Sequence, residues 1–229
     1  MSERTSNAVS RSSSRAAPPT PAAYAAVIKE TVGHLGCRVL LEPGRNLVGN
    51  AGILVSRVIY TKDGDDRDFV IVDAAMNDLI RPALYDAYHG IRPVAEPAGG
   101  ANLQRVDVVG PVCETGDTFT RARDLPPLSA GDLLIFDSAG AYCAVMASTY
   151  NSRPLVPEVL VDGERYAVVR PRQTYEEMLG LDRLPDWLKD AREPISSIQD
   201  EGPPRKAAGV AKNAATVNLK TSMLPHIAA

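Results

Sequence analysis

Four short stretches of this sequence gather residue types able to do chemistry. In "GPVCETGD" (110–117) a thiol, Cys113, stands directly before a carboxylate, Glu114, in a turn-like segment bounded by glycines. The two can be functional groups presented together at a site. A buried thiol beside a surface carboxylate is the plainer reading of the same two letters. In "LLEPGR" (40–45) Glu42 and Arg45 lie around a Pro43-Gly44 turn. Taken alone the hexamer is a turn with two solvated charges, although those charges can also address opposite parts of a charged ligand.

The segment "NDLIRPALYDAYH" (77–89) sets Arg81 and Tyr85 four residues apart, on one helical face. Arginine clamps a carboxylate with two hydrogen bonds, and a phenol can add a third. On periodicity alone the segment is an ordinary amphipathic helix. In "GAYC" (140–143) Tyr142 follows a glycine bend, where backbone can approach a ligand closely. Cys143 beside it, and Cys37, read as small core residues. His34, His89 and His226 are too dispersed for a metal site and read as surface or helix-end residues. No Walker loop, dinucleotide fingerprint, HExxH or CxxC pair occurs, so no metal is expected.

The elements that must position these groups follow from composition and periodicity. The chain has 229 residues, is 45% hydrophobic and carries a net charge of −3, which fits a globular protein and argues against a nucleic-acid footprint. It has neither an apolar run of membrane-spanning length nor a secretory h-region, and its three cysteines are scattered. A cytoplasmic, reduced setting is expected. Residues 1–20 are rich in Ser, Arg, Ala and Pro and predict a disordered leader. Residues 21–36 predict a helix beginning at Pro21 and stopped by Gly36, followed by a short buried strand in "CRVLLEPG". Strands are expected in "AGILVSRVIYTK", "RDFVIVDAA", "QRVDVVGPV", "DLLIFDS", "AYCAVMAS", "PEVLVDG" and "RYAVVRP", with a hairpin turn at "KDGDD". Residues 77–90 read as helical turns broken by Pro82, and 174–188 as a closing helix and loop. Residues 189–229 predict a loosely ordered tail.

Taken in order, "LEPGRNLVGNAG", "DAAMNDLIRPALYDAYH", "VVGPVCETGDTF" and "GAYCAVMASTYNSRPLVPEVLV" resemble diaminopimelate decarboxylase over about residues 21–188. That family pairs a (β/α)8 barrel with a C-terminal β-domain and uses pyridoxal 5'-phosphate. The resemblance implies a mainly β fold with some α: a C-terminal antiparallel β-barrel or sandwich at 49–188, plus the last αβ unit of an otherwise missing barrel at 21–48, between disordered ends. It implies that Glu42 pairs with the cofactor's pyridine nitrogen. Gly44, Arg45 and Tyr142 would lie at the cofactor, with Arg45 and Tyr142 also reaching substrate. Arg81, Tyr85 and Glu114 would bind meso-diaminopimelate, and Cys113 would be the proton donor. In the family the Cys-Glu pair reaches into the partner's site of a homodimer.

The family's Schiff-base lysine lies on a barrel strand reading roughly Tyr-Ala-Val-Lys. No such strand occurs here, and Lys29, Lys62, Lys189, Lys206, Lys212 and Lys220 all lie outside that context. The expectation is therefore an apparently truncated chain with the lysine-forming decarboxylase identity and no stand-alone activity. The alternative is a non-catalytic β-domain that dimerises with a complete decarboxylase and modulates it.

Overall fold

The structure is a computed structural model; it describes residues 19–95, 97 and 102–189, and the backbone of strand 215–219. The chain divides into two units, Met1–Glu42 and Pro43–Ala229.

In the first unit, helix α1 (Pro21–Val32) begins as its sequence dictates. Thr20 is the N-cap, its hydroxyl accepting from Ala23 N at 3.2 Å, and Pro21 occupies the first turn, where its missing N–H costs nothing. A 3-10 turn (Gly33–Leu35) and the left-handed Gly36 (φ 63°) end it. None of the helix's residues is buried. The strand expected in 37–44 does not form: residues 37–43 are irregular, and Val39, Leu40 and Leu41 are exposed. The physical reason is that a parallel strand exists only as part of a ladder, and among the described residues no strand pairs with this segment. Cys37, expected in a core, is exposed for the same reason.

The second unit is a bent, barrel-like sheet. Its elements are α2 (Gly44–Val48), β1 (Gly52–Lys62), β2 (Asp68–Val72), α3 (Arg81–Tyr85), β3 (Ile91–Pro93), β4 (Gln104–Val109), β5 (Thr118–Leu125), β6 (Leu133–Phe136), β7 (Glu158–Asp162), β8 (Arg165–Arg170), α4 (Tyr175–Leu179), α5 (Asp186–Lys189) and β9 (Ala215–Leu219). The strand order is β5-β4-β2-β1-β9-β7-β8, with β6 also on β1 and β3 on β6. The long β1 is the spine. Its Val58–Lys62 half pairs antiparallel with β2, and its Gly52–Arg57 half with β6 and β9. A register shift between Val58 and Tyr60 marks the bend. The pairings β2–β4 and β7–β9 are parallel.

Alternate residues of β1 turn inward, so Leu54 and Val58 join Val70, Val72, Leu79, Val108, Phe119, Leu134 and Phe136 in the core. Phe119 and Phe136 pack with ring centroids 4.7 Å apart and planes tilted by 54°. The "KDGDD" hairpin forms as expected.

Several expectations need correction. The "AYCAVMAS" segment is a turn followed by a 3-10 helix (Ala144–Met146), not a strand. Tyr142 adopts φ 58°, which reverses the chain and leaves no extended run. Pro82 opens α3 from its first turn instead of breaking a helix, its natural place. β5 was absent from the expected strands because Arg121, Arg123 and Asp124, together with Ala122 at φ 50°, interrupt the alternation. Within the expected tail, residues 215–219 form β9, while 190–214 and 220–229 lie outside the described residues, as do 1–18.

Candidate active site

The "PGR" and "GAY" segments are linked inside the second unit through a glycine. Arg45 lies in α2, a single turn that runs into a 3-10 turn (Gly49–Ala51) and then β1. The 138–140 bend docks on that junction. Ala139 N donates to Gly52 O at 2.8 Å, Gly140 N to Gly49 O at 3.0 Å, and Ser138 Oγ to Asn50 Oδ1 at 2.7 Å. A Cβ on Gly140 would run into the Val48 carbonyl oxygen and come within 2.8 Å of Gly52 N, so only glycine permits this approach. Two residues on, the left-handed turn presents Tyr142 half-exposed.

Arg81, at the start of α3, is buried to 8% exposure. Arg45, Tyr85, Tyr142 and Cys143 are all within electrostatic range of it. Burial, and then the like charge of Arg45, draw its pKa down, opposed by the two phenols; it remains a cation. Among the described residues Arg81 makes no ion pair. Two guanidinium groups and two phenols in one cluster, neither guanidinium ion-paired among the described residues, form a donor set for a carboxylate or phosphate.

His89 corrects the sequence reading, for it is buried instead of lying at the surface. Its Nε2 is 3.2 Å from Arg81 Nη1, and its Nδ1 is 2.8 Å from Asp137 O. Burial lowers its pKa, the Asp137 carbonyl opposes that, and the Arg81 and Arg45 charges reinforce it. His34 lies in the 3-10 turn of the first unit and is exposed, as expected; His226 lies outside the described residues.

The "GPVCETGD" loop joins β4 to β5 and is organised by its last residue. Asp117 is buried, and its carboxylate accepts from Val112 N and Met76 N, each at 2.7 Å. A Cβ on Gly110 would collide with that carboxylate. Gly116 packs between Met76 and Ala83 of α3. The loop therefore sits against the start of α3 with Cys113 exposed at its tip. Glu114 is exposed too, its Oε2 accepting from Tyr150 Oη at 3.3 Å. Cys143 is buried as expected and donates to Asp78 O at 3.1 Å.

Buried polar groups tie these loops to the sheet. Asp73 accepts from Ser56 Oγ at 2.6 Å and Arg57 N at 2.8 Å. Asp78 accepts from Ala75 N at 2.8 Å, and Arg153 reaches both Asp73 O (2.6 Å) and Asp78 Oδ2 (3.7 Å). Asn77 and Ser148 are joined by two hydrogen bonds, Nδ2 to O at 3.1 Å and Ser148 N to Asn77 O at 3.0 Å. Burial pushes Asp73, Asp78 and Asp117 above the ordinary carboxylate range, against the pull of these hydrogen bonds.

Of the residues singled out in the sequence, Arg45, Arg81, Tyr85 and Tyr142 are brought together. Gly44 opens α2 beside Arg45. Cys113 and Glu114 sit on the neighbouring loop. Glu42 ends the first unit and is exposed. His89, Asp117 and Tyr150 were given no role; the glycines at 90, 110 and 140 were the available signal, since each marks a backbone pressed against a partner.

This arrangement was compared with known proteins. The family described as "Pyridoxal-dependent decarboxylase, C-terminal sheet domain" matches residues 10–140. The chain belongs to this family. Curated relatives include the diaminopimelate decarboxylases of Zymomonas mobilis (50% identical over 171 residues, 75% of this chain and 40% of the relative) and of Neisseria meningitidis serogroup A (51% over 161 residues, 70% and 39%). Among solved structures, a diaminopimelate decarboxylase from Helicobacter pylori complexed with L-lysine matches with TM-score 0.61 and 41% identity, covering 69% of this chain and 38% of that one. One from M. jannaschi matches with TM-score 0.65 and 34% identity, covering 72% and 38%. The chain thus spans about 40% of the length of the curated relatives it matches. Were such a cofactor bound here, Arg45 and Tyr142, both within electrostatic range of Arg81, would be the donors for its anionic part.

Proposed function

We propose that this chain supplies the C-terminal part of a diaminopimelate decarboxylase, which releases CO2 from meso-2,6-diaminopimelate to leave L-lysine. The supporting observation is the convergence of Arg45, Arg81, Tyr85 and Tyr142 into one uncompensated cationic cluster. Arg81 and Tyr85 take the carboxylate at the distal end of the substrate. Arg45 and Tyr142 would hold the cofactor phosphate and reach the substrate, and Glu42, by the family resemblance, would pair with the pyridine nitrogen. Pyridoxal phosphate, when bound, supplies the sink for the electrons that CO2 leaves behind. Cys113 returns a proton to the substrate carbon, and Glu114, aligned by Tyr150, holds the substrate's distal amine. Exposure of the Cys113–Glu114 loop fits its delivery to the site of a second subunit, so the working form is a homodimer in a cytoplasmic pathway.

The test is a chimera in which residues 21–188 replace the matching segment of the Zymomonas mobilis enzyme. It is expected to release CO2 from meso-diaminopimelate. Cys113→Ala should lower kcat by about 10²–10⁴ while leaving cofactor absorbance in place, the range for losing one acid–base group. A folded, cofactor-loaded chimera that releases no CO2 sinks the reading, and equal losses of turnover and cofactor remove Cys113 from the donor role.

A further inference from the structure

We propose that His89 is the positioning residue for Arg81: held as the neutral Nδ1–H tautomer, it accepts the Arg81 Nη1 hydrogen bond and aims the guanidinium at a carboxylate. The inference rests on the reading of Arg81 as the substrate's carboxylate partner.

Donor arithmetic carries it. Arginine has only N–H donors, so His89 Nε2, 3.2 Å from Nη1, must present its lone pair. A carbonyl oxygen only accepts, so Nδ1, 2.8 Å from Asp137 O, must carry the ring proton. Both ring nitrogens are then committed, and the tautomer has no freedom. Protonating Nε2 would set an N–H against an N–H and a cation against a cation.

The backbone that carries the ring is also held on both sides. Asp137 N donates to Gly90 O at 2.8 Å, and a Cβ on Gly90 would lie 2.7 Å from Asp137 Oδ2, so the backbone beside His89 is pressed onto the end of β6. On the other side Arg123 of β5 donates to His89 O at 3.2 Å and stacks over the Tyr88 ring at 4.4 Å. A buried cation with no ion pair among the described residues thus has one fixed, neutral acceptor. This leaves its remaining donors for an incoming anion.

The arrangement is acid-sensitive. The charged and titratable groups facing His89 are Arg81 from α3, Arg45 from α2, Asp137 after β6, and Arg123 from β5 through the backbone. Burial and the Arg81 and Arg45 charges disfavour an imidazolium, against the opposing pull of Asp137. When it forms at low pH, the bond to Arg81 is lost and carboxylate binding weakens with it. The carboxylates of an amino acid stay ionised through this range, so the ligand does not produce the same profile.

The full chain, labelled with 15N, decides it. At about pH 7.5, above the ordinary histidine pKa, long-range spectra of the imidazole are expected to give the Nδ1–H tautomer for His89. An Nε2–H tautomer, or a cationic ring, overturns the proposal. Arg81→Gln should raise the proton affinity of His89 by about tenfold, the effect of one neighbouring charge in a partly buried site; an unchanged titration also overturns it. The binding arm uses meso-diaminopimelate, followed by the Arg81 Nε–H signal. Affinity should fall as His89 protonates, and His89→Gln, which accepts a hydrogen bond but does not titrate, should bind with no such dependence. His89→Leu should bind about tenfold more weakly at every pH, as for a lost hydrogen bond to a charged group. A glutamine variant with the wild-type pH profile refutes the positioning role. If the tautomer and coupling are as expected but meso-diaminopimelate leaves Arg81 unmoved, the proposed substrate role of Arg81 fails while the His89–Arg81 pairing stands.

Discussion

Gly140 shows how one hydrogen atom in place of a side chain assembles this site. A residue with no Cβ lets the bend press onto the end of α2, and the bend carries Tyr142 into the cluster with Arg45 and Arg81. Gly140→Ala must push the bend off the Val48 carbonyl, and overpacking of this kind costs about 1–3 kcal/mol. Gly44, whose Cβ position is open, is the control: Gly44→Ala should be neutral or slightly stabilising, since alanine loses less backbone entropy in a helix. Urea unfolding of the two variants measures the difference. Equal stabilities would remove the argument that close approach at 140 is obligatory. Sequence reading reached Arg45, Arg81, Tyr85 and Tyr142 because each sits in a dense local motif. It missed His89 because the features that define it, Arg81 Nη1 on one side and Asp137 O on the other, come from elements 8 and 48 residues away.

At the scale of elements, legibility follows how local the determinants are. β1, β2, β4, β6, β7 and β8 were readable because β-branched runs bounded by turns suffice to specify a strand. β9 was not, because "ATVNL" has its partners far away along the chain, on β1 and β7. Its position has a consequence. The β7–β8 hairpin pairs with the rest of the sheet only through β9 among the described strands. Deleting residues 190–229 should therefore expose the β7 edge and speed amide exchange across residues 158–170, with β2, β4 and β5 keeping their protection. Hydrogen exchange read by mass spectrometry tests this. Unaltered protection in β7 and β8 would mean that contacts other than the ladder hold the hairpin. The failed strand at 37–44 is the converse case: the local signal was present and the neighbours were not.

For the molecule as a whole, its buried titratable groups set two opposing pH responses. His89 is lowered below 6.5 by burial, so as pH falls below 6.5 the unfolded chain takes up a proton that the native chain refuses. Its contribution to stability is complete above 6.5 and is lost on the way down to the native value. Asp73, Asp78 and Asp117 are raised above 3.8, so the native chain holds protons that the unfolded chain has already released. Their contribution is complete below 3.8 and is lost as pH rises through their native values. The two slopes have opposite sign, and wherever their windows overlap they cancel in part. His89→Gln separates them. Lacking the histidine, the variant should lose any rise in stability as pH climbs toward 6.5, leaving the flat or falling profile that the three carboxylates dictate. Urea midpoints for both proteins across that range provide the measurement. A variant curve that still climbs in parallel with wild type would show that the imidazole buried between Arg81 and Asp137 is not what makes the fold sensitive to acid.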